Sequence, residues 1–228
     1  MTQHLWCDGR FGDVSSLADE ERIIACVAGH TASGNLDALE EACGHLTAAR
    51  WRSAAIEAIL QTHLFAGYPR TINGMGVVRN LNWDVSATVA EETPVSSPHF
   101  EAAGAALCGK IYGKNYPRLR ERIGDLHPDL DRWMLETGYG RVLSREHLSP
   151  RLRELCVLTA LVGQNVPAQL NSHLRGAINV GASVQECRSI LKQSSLIWGE
   201  SAAGLSEGVL DHLIELGKIG LRSPPVQR

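Results

Sequence analysis

The tightest constraint on the fold of this chain is its periodicity. Apolar residues recur at helical spacing over most of its length, and no five-residue run alternates as a half-buried strand would. The stretch 165–187 shows the pattern most clearly. Val166, Leu170, His173, Ala177 and Ile178 form one helical stripe, Gly181 stops it, and Ser183 with Glu186 forms a capping box that starts the next helix. The stripe contains one ionisable group, His173. A buried histidine needs a hydrogen-bond partner or a displaced pKa, so its partner is the question the sequence raises.

The same reading predicts helices over 16–30, 35–49, 52–66 and 69–82. A small, polar, proline-punctuated linker follows over 83–97. Ser97-Pro98 and Ser149-Pro150 are cap-and-proline starts for two further helices, 98–113 and 150–162. Short helical pieces are expected over 119–126 and 128–137, and 139–143 reads as a connector. Helices 166–180, 184–198 and 202–216 complete the chain before a tail over 219–228. The fold class is all-α.

Composition narrows the function classes. With 228 residues the chain can bury a substantial core unaided. A net charge of −3 and the lack of a basic patch with interleaved aromatics argue against nucleic acid as a partner. No apolar run approaches a membrane span, and the N-terminus lacks a basic-then-apolar leader, so a cytoplasmic location is the default expectation. None of the six cysteines forms a C-x-x-C pair, and no H-E-x-x-H or clustered carboxylate pattern suggests a metal.

Sliding the chain against itself by 132 residues aligns Ala28 with Ala160, Gly44 with Gly176, Gln61 with Gln193, Leu64 with Leu196, Gly67 with Gly199, Val77 with Val209 and Leu81 with Leu213. The helix breaks agree, which favours an internal duplication. The expected organisation is a divergent first repeat over 15–82, the linker over 83–97 and a second repeat with an N-terminal helical extension over 98–218. His173 is matched by Glu41, Gln169 by Asp37 and Glu154 by Arg22, so the two potential sites have diverged.

The second half resembles the carboxymuconolactone decarboxylase family, whose fold is the alkyl hydroperoxidase D-like helical fold. The residues that carry the resemblance are Arg151-Leu-Arg-Glu-Leu-Cys-Val-Leu158, Gln169-Leu-Asn-Ser-His-Leu-Arg-Gly-Ala-Ile-Asn-Val-Gly181, Glu186, and Gln193 through Trp198-Gly199. Tyr112-Gly113 and Tyr139-Gly140 add to it upstream. In the family's thiol-peroxidase branch, cysteines precede the family histidine by seven and four residues. Val166 and Gln169 stand there in this chain, so thiol chemistry is not expected.

The decarboxylase branch implies chemistry with no metal and no organic cofactor, acting on a small acid or lactone. It also implies a homo-oligomer, in which three two-repeat chains mimic a six-membered ring. The expected catalytic residues are His173 as proton carrier and Glu154 as the group that orients it. Gln169, Arg175 and Trp198 are the expected substrate-binding residues, with Arg153 an alternative to Arg175 for a substrate carboxylate. Two alternatives stay open: a tailoring enzyme of secondary metabolism that runs another proton transfer in the same pocket, and a non-catalytic helical protein that binds a small molecule or scaffolds an assembly. From the residues alone, a structural histidine bonded to Glu154 or to a backbone carbonyl is the better reading of His173, and it is the resemblance that sets proton transfer level with it.

Overall fold

A computed structural model describes residues 17–89 and 97–219, whose regular elements are helices with no strand among them. The irregular 1–14 region, the Ser16 cap, residues 90–96 of the linker and residues 220–228 of the tail lie outside the described residues. The helices are α1 (Asp19–Ser33), α2 (Leu36–Gly44), α3 (Ala49–Gln61), α4 (His63–Ala66) and α5 (Tyr68–Asn80) in the first part. Then come α6 (Ser97–Tyr112), α7 (Tyr116–Leu126) and α8 (Pro128–Trp133). The series ends with α9 (Pro150–Val162), α10 (Pro167–Asn179), α11 (Val184–Gln193), α12 (Ser195–Trp198) and α13 (Glu200–Glu215).

Local chemistry explains the ends. Ser149 caps α9 by accepting from the Leu152 N–H, with Pro150 in the first turn, where a missing N–H costs nothing. Ser183 and Glu186 bond reciprocally at the start of α11, as the capping box predicts. Gly67 and Gly199 adopt φ 84°, ψ 162° and φ 85°, ψ 160°. That backbone region is open essentially to glycine only, so the chain turns into α5 and α13 through the same residue and the same geometry.

Three expectations are corrected. Residues 139–143 are not a connector: a π-helical segment, Met134–Leu143, continues directly from α8. Its buried Leu135, Tyr139 and Leu143 keep the four-residue apolar spacing through two glycines that read as breaks in sequence. The expected 184–198 and 52–66 helices are each broken, at Ser194 and Thr62, whose hydroxyls turn back to the Ile190 and Ala58 carbonyls.

α1 and α9 lie at the centre, each buried along nearly its whole length, and pack on one another. The main core draws residues from both sides of the chain, among them Ile24, Leu39 and Ile59 with Leu155, Leu158, Leu174 and Leu191. Each such fully buried side chain contributes about 2 kcal/mol. The 132-residue offset also relates the elements: α1 to α5 correspond in order to α9 to α13. The corresponding positions 24 and 156 meet, with the Cys156 thiol facing the Ile24 carbonyl at 3.8 Å. Gln61 donates to the Arg153 carbonyl at 3.1 Å, and its counterpart Gln193 donates to the Arg22 carbonyl at 3.2 Å. A second, smaller cluster of Leu107, Cys108, Ile111, Leu119, Leu135, Tyr139 and Leu143 joins α6, α7 and the π-helical segment, with Leu64 and Val180 packed against it.

Candidate functional site

α9 and α10 bring Glu154 and His173 together. Both are buried, and His173 Nδ1 lies 2.8 Å from Glu154 Oε2. With Glu154 as the carboxylate, the bond needs the proton on Nδ1, which leaves the Nε2 lone pair as the ring's acceptor. Nε2 has no hydrogen-bond partner among the described residues and is not among the buried polar atoms sealed from solvent, His173 as a whole keeping about 8% of its surface. Phe65, from α4 in the first half, meets the imidazole edge-on at 5.6 Å between ring centres. Gly176 makes room for the carboxylate, since a Cβ there would sit 3.1 Å from Oε2.

Two phenols lie within reach of the Glu154 charge. Tyr112 and Tyr139 share a 2.8 Å hydrogen bond. Burial pushes both above the ordinary phenol range, and the nearby Glu154 charge pushes them further. The family-like Tyr112-Gly113 and Tyr139-Gly140 pairs had marked this region in sequence without giving the tyrosines a role. Phe65 sits between the aligned Leu64 and Gly67, but nothing local tied it to His173.

The other candidates are dispersed. Gln169 is exposed one turn before His173. Trp198 donates its indole N–H to the Thr159 carbonyl at 2.8 Å and walls a separate cavity of about 280 Å³. Arg175 lines a third place, a cleft of about 780 Å³ between α6, α7, α10 and α13. Arg153 is not available to a substrate: it is buried, with Nη2 at 2.8 Å from Glu57 Oε2 and Nη1 at 3.1 Å from Gln61 Oε1.

These geometries stand beside two likenesses. Residues 128–205 match the model of the Carboxymuconolactone decarboxylase family. This segment, about a third of the chain, is similar to that family. The matched segment runs from α8 into α13 and contains Glu154, Gln169, His173, Arg175 and Trp198. The chain is also similar to "Peroxisomal protein 2" of Schizosaccharomyces pombe, 31% identical over 137 residues, which is 58% of this chain and 63% of that protein. It is similar to "Peroxisomal protein 2" of Saccharomyces cerevisiae, 27% identical over 167 residues, 62% of this chain and 59% of that protein. The chain thus spans about three fifths of the length of these relatives. Their shared name overturns the cytoplasmic expectation, which rested only on the lack of a leader or a span.

The described thiols are poor nucleophiles. Burial pushes Cys26, Cys43, Cys108 and Cys187 up to about 12, and Cys156 higher still. At pH 8 that leaves roughly one thiolate in ten thousand. In a Cys7→Ser background, native protein is expected to leave these five cysteines unmodified by a chromogenic disulfide reagent over minutes, and to release five equivalents in denaturant. Rapid native labelling of any of them would contradict their burial.

Proposed function

We propose that the protein is an acid–base enzyme in which His173 moves a proton to or from a small cyclic acid or lactone, with decarboxylation as the leading reaction. One observation carries this reading. A histidine on a buried helix face has one nitrogen fixed by a buried glutamate and the other left without a partner among the described residues. A glutamate at Nδ1 sets the tautomer and stabilises the imidazolium that forms when Nε2 takes a proton. For loss of carbon dioxide from an unsaturated lactone acid, the carbon–carboxylate bond breaks and its electron pair enters the ring as an extended enolate. Nε2 takes the proton of the substrate's carboxyl group before that bond breaks, and the imidazolium then returns the same proton to carbon, so that carbon dioxide leaves and neutral His173 is restored. The match of residues 128–205 to the carboxymuconolactone decarboxylase family supports the same reaction class.

The test is release of carbon dioxide from an unsaturated lactone acid by the purified chain. His173→Gln is expected to cut turnover about 10²- to 10⁴-fold while the melting temperature holds, and Glu154→Gln to cut it less. Unchanged turnover in His173→Gln removes the residue from the chemistry, and a wild type without turnover on such acids removes the decarboxylase assignment.

The common offset in sequence and in element order supports a further reading, that the chain is two copies of one helical unit and that only the second keeps the acid–base pair. The names of the two relatives support a peroxisomal location. A full-length chain that fails to co-fractionate with peroxisomal matrix proteins would exclude it.

A further inference from the structure

Residues 97–219 contain ten arginines, and seven are committed to partners. Arg120 pairs with Asp131, Arg132 with Asp129, Arg151 with Glu21 and Glu186, and Arg188 with Asp211. Arg145 and Arg153 share Glu57, and Arg141 lies 4.0 Å over the Phe100 ring. The remaining three, Arg118, Arg122 and Arg175, have neither a carboxylate nor an aromatic face as partner among the described residues. All three line the 780 Å³ cleft.

The cleft is built for negative charge. Arg118 and Arg122 stand one turn apart on α7, and Arg175 comes from α10. His212 of α13 and the amides of Asn115 and Asn171 add polar capacity, and no aspartate or glutamate lines the cleft. Apolar side chains, including Leu119 and Val209, form part of its wall. Unpaired like charges in a concavity repel one another and focus a positive potential that an anion relieves. Guanidinium forks match carboxylate and phosphate oxygens two at a time. The volume lies within the range of small-molecule sites.

The cleft is distinct from the acid–base pair. Two residues along an α-helix turn the side chain by roughly 200°. Arg175 and His173 therefore leave α10 on different flanks, and neither His173 nor Glu154 lines the cleft.

We propose that this cleft is a binding site for a small polyanion, a molecule carrying two or more carboxylate or phosphate groups on a partly apolar body. More than one anionic group matches a cleft that presents three unpaired guanidiniums from two helices.

Titration calorimetry on the full chain at fixed ionic strength tests this, with pyrophosphate and citrate as the probes. Saturable one-to-one binding of at least one probe is expected. Pyrophosphate alone would assign the phosphate class, and citrate alone the carboxylate class. Arg118→Gln/Arg122→Gln changes only exposed residues of α7 and should weaken binding by about tenfold or more, as should Arg175→Gln. Arg79→Gln, an exposed arginine on α5, should leave it unchanged. His173→Gln should also bind normally, which separates this site from the proton-transfer reading. Binding of neither probe, or equal weakening by Arg79→Gln, overturns the proposal.

Discussion

Glu57→Ala is expected to destabilise the protein by about 3–5 kcal/mol, the usual cost of leaving a buried charge without its partner. Glu57 is 1% exposed and accepts from two arginines. Arg145 Nε reaches its two oxygens at 3.1 and 3.0 Å, and Arg153 Nη2 reaches Oε2 at 2.8 Å. Arg153 also donates to Gln61 and to the Arg145 carbonyl, and Arg145 to the Thr88 carbonyl. One carboxylate therefore ties α3, the segment before α9 and α9 itself into a single polar knot. Burial already works against the Arg153 charge, lowering its pKa, and Glu57 is what offsets that. Removing Glu57 strands a guanidinium that is only 2% exposed. The double variant Glu57→Leu/Arg153→Met removes the charge together with its partner, and should be less destabilised than Glu57→Ala despite its extra substitution. Denaturant titration of the variants decides it. A Glu57→Ala loss under 1 kcal/mol, or a double variant worse than the single, would show that the knot is not what holds these elements. The expected consequence for function is local, because Arg153 precedes Glu154 on α9 and fixes the turn from which that carboxylate reaches His173.

That knot also shows where reading the sequence stopped. Arg153 could be weighed as a substrate contact only because its partner, 96 residues away, was not visible. Features set by neighbouring residues were legible. Ser149-Pro150, the Ser183–Glu186 box and the Gly67 and Gly199 breaks each act within a turn of helix, and each reappears in the structure where the spacing places it. The Glu154–His173 pairing was legible for a different reason, through family motifs on consecutive helices. Phe65, Tyr112 and Tyr139 were not legible as its surroundings, because their proximity depends on how the smaller cluster seats against α4 and α10. The π-helical segment was missed because Gly138 and Gly140 look alike in sequence, although one faces open space and the other faces backbone.

That difference gives a sharp comparison. Gly140→Ala is expected to disrupt the smaller cluster, whereas Gly138→Ala, in the same π-helical segment, should be neutral or slightly stabilising. A Cβ on residue 140 would lie well inside contact distance of the Phe100 carbonyl oxygen on α6 and 2.8 Å from the Leu135 carbonyl oxygen. From the other side, a Cβ on Gly104 would lie 2.9 Å from the Gly140 nitrogen. Both obstacles are backbone atoms, so no rotamer change can relieve them, and α6 would have to move off the π-helical segment as a unit. That movement would open the packing of Leu107, Cys108 and Ile111 against Leu135 and Tyr139 and would break the Tyr112–Tyr139 hydrogen bond. Overpacking of this kind costs about 1–3 kcal/mol where side chains can yield, and a backbone obstacle places Gly140→Ala at or beyond the upper end. A Cβ at Gly138 meets nothing within 4 Å. Exchanging a glycine there for alanine chiefly restricts the unfolded chain, a gain of about 0.5 kcal/mol. Thermal melts followed by far-ultraviolet circular dichroism, with the near-ultraviolet tyrosine signal recorded alongside, separate the two. Gly140→Ala should lose tyrosine signal and melt at least several degrees lower, while Gly138→Ala should keep both. Equal behaviour of the two variants would mean that α6 and the π-helical segment are not held at glycine distance. The Tyr112–Tyr139 pair would then not depend on that close approach.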